Sequence, residues 1–275
     1  TVPEEYGGPS GDFLHSAIVI EELARACASG PGFSLQTDIV TPYILHYGSE
    51  DQKKHWLPRM ASGDVITAIA MTEPETGSDL QNIKTTALTA GNELEINGKK
   101  TFITNGHNAD LVIVVAKTEP ENNAAGISLV LVETDRNGFS CGRNLEKTGL
   151  KAQDTSELFF DSVRVPRTNI LGEEGGGFKQ LMQELPQERL VIAIGAVASC
   201  EAALEWTVAY TRDRKAFGKS VADFQNTRFK LAEIKTDITA ARVFLDRCLE
   251  LHSENGLDAT TGAMIKLWTT ELQSR

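Results

Sequence analysis

The chain has 275 residues, longer than one average domain and enough to bury a large core. Its formal net charge is −11 and its pI about 5.0. That argues against a nucleic-acid binder, whose phosphate contacts need a basic surface, and against a general anionic-membrane binder. Hydrophobic residues make up 41% and charged residues 24%, ordinary values for a globular chain.

Residues 1–10 hold two prolines and two glycines and read as a loop. Phe13 to Ala28 predicts a helix, with Phe13, Ala17 and Ile20 recurring at three or four residues, Asp12 as N-cap and Gly30-Pro31 as the stop. Phe33 to Tyr47 is a second helical segment ending at Gly48. Ser49-Glu50-Asp51-Gln52 opens a third, short helix to Ala61. The period then changes. Val65 to Met71, Thr85 to Leu88, Glu93 to Ile96, Leu111 to Lys117 and Ile127 to Glu133 are short runs rich in Val, Ile and Thr. Asn97-Gly98 is a hairpin signal. Runs at Phe139, Leu158 to Phe160 and Val163 to Val165 complete an all-β middle, a barrel or sandwich. The glycines of 172–177 read as a hinge between domains, not as a phosphate loop.

Phe178 to Arg212 is long and apolar, and Pro186 predicts a kink or break in it. Phe224 to His252 carries a three-four repeat suited to an antiparallel bundle, and Asn255-Gly256 turns the chain into a last helix. The expected fold class is therefore α+β: a helical part over 1–63, a β domain over 64–174 and a helical bundle over 175–275. The chain starts without methionine and ends in an unfinished helical pattern, so it is expected to be the middle of a longer protein with the bundle incomplete. Four cysteines (Cys27, Cys141, Cys200, Cys248) lack metal or redox spacing and lie in apolar stretches, which predicts buried thiols in a reducing compartment. The five histidines form no ligand pair, so no metal is expected. No run of about 18 apolar residues and no signal-like start is read, so neither a membrane span nor secretion is expected.

The stretch with chemistry is I-A-M-T-E-P-E-T-G-S-D, Ile69 to Asp79. A strand ends at Thr72-Glu73-Pro74, because proline cannot continue the ladder. Gly77 then lets backbone approach a ligand. An ordinary polar turn is the competing reading. K-T-F-I-T-N-G follows at Lys100 to Gly106, where alternation would put Phe102 and Thr104 on one strand face, as a core Phe and strand Thr or as ligand contacts. R-K-A-F-G-K, Arg214 to Lys219, reads as basic residues at a helix C-terminus that Gly218 breaks. Q-E-L-P-Q-E-R-L, Gln183 to Leu190, holds Glu184 and Glu188 four apart, as solvated helix charge or as a base.

These four motifs, in this order, resemble those of the acyl-CoA dehydrogenase family, over essentially the whole chain. The resemblance implies flavoenzymes that oxidise the α,β bond of an acyl-CoA thioester with FAD. It further implies that Met71, Thr72, Phe102 and Thr104 meet the flavin, and that Arg214, Phe217 and Gln225 meet the FAD of a neighbouring subunit in a homotetramer, a dimer of dimers. Ser78, Leu185 and Arg189 would meet substrate. Glu188 would be the base that removes the α-proton, since long-chain and isovaleryl types take it from this helix in an E-R-L context. Q-E-L-P-Q-E-R-L is most similar to the long-chain type. Glu75 stands where many members have Gly, and Phe102 where many have Trp. Electrons would pass to an electron-transfer flavoprotein, in the mitochondrial matrix of a eukaryote or the cytoplasm of a bacterium. A branched-chain dehydrogenase, an acyl-CoA oxidase or flavin monooxygenase, and a non-catalytic acyl-CoA-binding module remain alternatives.

Overall fold

A computed structural model describes residues 2–275. In chain order its elements are α1 (Phe13–Arg25), α2 (Thr41–Tyr47), α3 (Glu50–Ser62), β1 (Thr67–Ala70), β2 (Thr86–Ala90), β3 (Glu93–Thr104), β4 (Leu111–Lys117), β5 (Ile127–Glu133), β6 (Phe139–Cys141), β7 (Thr155–Pro166), α4 (Gly177–Asp213), β8 (Lys215–Ala216), β9 (Lys219–Ser220), α5 (Gln225–Ser253) and α6 (Ala259–Ser274). A π-helical turn, Leu35–Val40, leads into α2, and a 3-10 turn, Glu4–Tyr6, lies within the loop expected at the start. Helices, a curled β-sheet and further helices follow one another, as the α+β reading expects. The described residues form two compact units, one of residues 2–11 and 29–184, the other of 12–28 and 185–275.

In the first unit the β part is one seven-stranded mixed sheet, ordered β1-β4-β2-β3-β7-β6 with β5 on the far side of β4. Its strands β4 and β5 are buried on both faces, which is why Leu111 to Ala116 is an unbroken apolar run. Alternation sorts the side chains. Leu111, Ile113, Val115, Leu129 and Leu131 pack with Tyr43, Ile44 and Leu57 of the helices. Val112, Val114, Val130 and Val132 face a second core with Leu94, Ile96, Phe160 and Val163 from the sheet itself. Ser49 caps α3 with a complete capping box, its hydroxyl taking the Gln52 N–H and the Gln52 side chain taking the Ser49 N–H.

Several expectations need correction. Asn97-Gly98 is not a hairpin turn. It lies inside β3, opposite a bulge where β7 carries an extra residue between Val163 and Phe160. Ser162 takes the left-handed conformation there and donates its N–H to Asn97 Oδ1 at 2.8 Å. The hairpin is closed instead by Gly91-Asn92, since Ala90 pairs with Glu93 and Gly91 has φ 68°. The runs at 158–160 and 163–165 are one strand, β7. The glycines of 172–177 are tied to the sheet: Leu171 N–H donates to Leu129 O, and Gly175 N–H to Ser128 Oγ, both at 2.8 Å.

The helix α4 runs unbroken through Pro186, so of the two expectations there, a kink or a break, the break does not occur. It also contains an 18-residue window of mean hydropathy 1.5, long and apolar enough to cross a membrane by length and composition. The window is apolar on average and not an unbroken run, since Ser199, Glu201 and Glu205 interrupt it. In the second unit that apolar face is a core: Leu190, Ile194 and Val197 pack with Ala17 and Ile20 of α1 and with Ile238, Ala241 and Leu245 of α5. Asp12 caps α1 through the amides of Leu14 and His15, as expected, and Asp258 caps α6 through those of Thr260 and Thr261. Arg242 joins the carboxylates of Glu201 and Glu21, and Arg25 reaches Glu201 and Glu205. Of the cysteines only Cys248 is buried. Cys27 is exposed, because α1 ends at Arg25 and leaves it beyond the packed face.

Candidate functional site

The end of β1 and the middle of β3 build one sheet edge in the first unit. Between Lys100 and Ile103, β3 advances three residues while β7 advances two, from Leu158 to Ser156. The extra residue is Phe102, left-handed at φ 59°. This bulge, not alternation, positions it: Lys100, Thr101 and Ile103 are buried, Phe102 is 68% exposed and Thr104 half-buried. A large apolar ring held outward by a bulge is a surface for a flat ligand.

Beside it the chain leaves β1 at Met71 and Thr72, and two consecutive residues of β3 hold that exit. Lys100 Nζ donates to Met71 O at 3.0 Å, and Thr101 N–H donates to Thr72 O at 2.9 Å. Lys100, wholly inaccessible, also donates to Glu73 Oε1 at 2.9 Å. The Glu73 carboxylate accepts the amides of Lys84 at 2.6 Å and Thr85 at 3.0 Å. The backbone of Glu73 exchanges hydrogen bonds with Thr76, so the T-E-P-E-T loop closes on itself across Pro74. Burial pushes the Lys100 ammonium down to about 8, although Glu73 works the other way. Burial also raises Glu73, but the Lys100 charge and the hydrogen bonds it accepts outweigh that and hold it below its ordinary value. Sequence reasoning assigned nothing to this pair. Its one trace was a lysine set among β-formers where the period-two pattern fails.

Thr72 and Thr104 are half-buried, and among the described residues neither hydroxyl meets a hydrogen-bond partner. Ser78 is exposed on the loop beyond Gly77. Met71, Thr72, Phe102 and Thr104 are thus gathered at one sheet edge, with Ser78 on the loop leaving it.

The remaining expected residues belong to α4 and to the segment after it. Leu185, Glu188 and Arg189 lie half-buried on successive positions around Pro186. Arg189 donates to the carbonyl of Ala259, the first residue of α6, at 3.3 Å. One turn earlier Glu184 is buried, and its Oε1 meets Tyr47 OH at 2.8 Å and His46 Nδ1 at 2.9 Å. Burial, with that carboxylate beside it, pushes the Tyr47 phenol up. The segment R-K-A-F-G-K is not a helix end. After Asp213 it forms a two-residue hairpin, β8–β9, with Phe217 and Gly218 both left-handed at φ 54° and 79°. Phe217 is 95% exposed at its tip, edge-on to Phe224, with ring centroids 6.2 Å apart. Arg214, exposed, enters the hairpin and accepts the Val221 N–H through its carbonyl, and Gln225 is the exposed first residue of α5. Among the described residues no cluster of His, Cys, Asp and Glu could hold a metal ion.

Helices, a curled sheet with a polar and aromatic edge, and a second set of helices define a three-part architecture, and three family models follow the same order. They are the acyl-CoA dehydrogenase N-terminal domain over residues 1–64, the middle domain over 68–163 and the C-terminal domain over 175–275. The chain belongs to the acyl-CoA dehydrogenase family, whose members are flavoproteins. It is 52% identical to the long-chain specific acyl-CoA dehydrogenase, mitochondrial, of Rattus norvegicus, over 99% of this chain and 64% of that one. It therefore spans under two thirds of that relative's length. A solved acyl-CoA dehydrogenase from Geobacillus kaustophilus is 51% identical with a TM-score of 0.97, covering 100% of this chain and 73% of that one. A solved electron transferring flavoprotein of Acidaminococcus fermentans is 35% identical with a TM-score of 0.93, covering 98% and 71%.

Proposed function

We propose that the chain is the greater part of an FAD-dependent dehydrogenase of long-chain acyl-CoA thioesters, with electron-transfer flavoprotein as acceptor. The observation that carries this reading is the sheet edge: an outward aromatic ring, two unpartnered hydroxyls and a fixed strand exit. That donor set suits a flavin, whose ring needs an apolar face to lie on and hydrogen-bond donors along its polar edge. Phe102 offers the face, Thr72 and Thr104 offer donors, and Met71 is assigned to the ring by its place at the strand exit. Arg214, Phe217 and Gln225 are assigned to the FAD of another subunit of a homo-oligomer. An arginine fork matches paired phosphate oxygens, and an exposed hairpin tip suits a neighbouring chain. The identity to the long-chain relative supports the chain-length assignment. A mitochondrial matrix or bacterial cytoplasmic location accords with the origins of these relatives.

When bound, FAD supplies acceptance of the hydride leaving the β-carbon. The α-proton goes to the chain's own base, assigned to the Glu188 carboxylate. Glu184, a second carboxylate four residues earlier, meets Tyr47 and His46 through its Oε1. Arg189, spent on the Ala259 carbonyl, serves to hold α4 against α6 beside the base. Leu185 and Ser78 are assigned to substrate contact.

The test is anaerobic addition of hexadecanoyl-CoA, then isovaleryl-CoA, to the full-length protein while its visible flavin band is followed. Fast bleaching by the long substrate alone is expected. Bleaching by isovaleryl-CoA alone moves the assignment to branched substrates. A full-length protein that holds no FAD overturns the flavoenzyme reading.

A further inference from the structure

The buried Lys100–Glu73 pair has no place among the flavin and substrate contacts above, yet it grips the residues that carry them. We infer that Lys100 is a positioning residue, anchored by Glu73, that turns the Thr72 N–H and hydroxyl out toward the flavin; this rests on the FAD reading.

The peptide group makes the argument. A trans peptide is planar, so the C=O of one residue and the N–H of the next point in opposite directions. Lys100 Nζ, 3.0 Å from Met71 O, pulls that carbonyl toward the interior. The Thr72 N–H, in the same plane, must then point outward, and among the described residues it has no acceptor. The next plane is set the same way. Thr101 N–H holds Thr72 O, and the Glu73 N–H on its other side donates to Thr76 O at 2.8 Å. Two successive peptide planes are thereby fixed, and the Thr72 side chain between them is aimed along with its amide.

Glu73 keeps Lys100 in place. Its carboxylate faces the ammonium at 2.9 Å and is itself held by the amides of Lys84 and Thr85. A lysine with no solvent exposure could otherwise not direct its donors so narrowly, because a flexible four-carbon stem leaves the ammonium free to move. The pair is electrically neutral as a unit, so its service is direction of donors, not a field at the ring. An outward N–H fixed in advance bonds a flavin edge without reordering, and that lowers the cost of binding.

The experiment uses the full-length protein and replaces both partners, because removing one strands a buried charge. The E73Q/K100M variant keeps an acceptor for the Lys84 and Thr85 amides and fills the lysine's volume with apolar atoms. It is expected to melt, as apoprotein, within about 3 °C of the parent. FAD affinity is expected to fall by about tenfold, from loss of a preset hydrogen bond, and the visible flavin bands to shift. A merely structural pair would leave those bands unmoved. A folded double variant with the parent's FAD affinity and spectrum overturns the inference. If the double variant does not fold, K100R takes its place, keeping the charge but not the point donor, with the same expected loss and the same overturning result. Failure of both to fold assigns the pair to folding alone and overturns the inference as well. A parent that binds no FAD fails at an earlier step, in the flavoenzyme reading itself.

Discussion

Two glutamates four residues apart on α4 are candidates for the role of base, and the role is assigned to Glu188. Glu184 is buried, and its Oε1 meets Tyr47 OH and His46 Nδ1. A base must present an oxygen to a substrate C–H, and proton transfer by a positioned carboxylate contributes about 10²–10⁴-fold. Glu188→Gln is therefore expected to slow reductive bleaching by long acyl-CoA by roughly that factor, with FAD content unchanged. Glu184→Gln is expected to retain most of the rate. Stopped-flow absorbance of the flavin band checks both, and a Glu188→Gln protein that turns over at the parent rate removes the assignment. Glu188 was readable as a candidate because E-R-L and its proline neighbour are local features. The partners of Glu184 were not readable, since His46 and Tyr47 lie 138 and 137 residues away in sequence.

Among the elements, helix starts were the most legible, because a cap is written within four residues. Asp12 and Ser49 sit where their side chains reach the next free amides. Bulges were illegible because a register shift belongs to two strands, and only one is visible at a time. Asn97-Gly98 has the composition of a turn but serves a long strand. Its glycine is needed because a Cβ there would lie 2.7 Å from Thr85 Cα, a backbone atom that cannot step aside. Gly218 is needed for a different reason: a Cβ would meet nothing, but φ is 79° in the hairpin turn. Gly98→Ala is thus expected to cost roughly 1–3 kcal/mol through overpacking at the sheet. Gly218→Ala should cost roughly 1–2 kcal/mol through left-handed strain alone. Denaturant melts of both variants test this, and negligible losses would contradict the two mechanisms.

At the scale of the whole molecule, one contribution to the response to acid comes from Glu73, whose buried carboxylate accepts from Lys100, Lys84 and Thr85. Its folded-state pKa lies below the ordinary 4.5, because the Lys100 charge and the hydrogen bonds from Lys100, Lys84 and Thr85 outweigh the burial that opposes them. A depressed carboxylate binds fewer protons folded than unfolded. Its contribution to stability is therefore fully present above about pH 4.5 and is lost as pH falls through the lower folded value. Glu73→Gln at pH 7 leaves the Lys100 ammonium buried without its counter-charge, a loss on the order of 3–5 kcal/mol. In acid the parent's own Glu73 becomes protonated and reaches the same uncompensated state, so the two proteins should converge. Thermal melts of parent and variant at steps from pH 7 to pH 3 measure the gap. A gap that narrows steadily below pH 4.5 bears out a carboxylate working as the partner of Lys100. A gap constant from pH 7 to pH 3 would mean that Glu73 acts through its shape and neutral hydrogen bonds, and the ion pair at the exit of β1 would then carry none of the acid response.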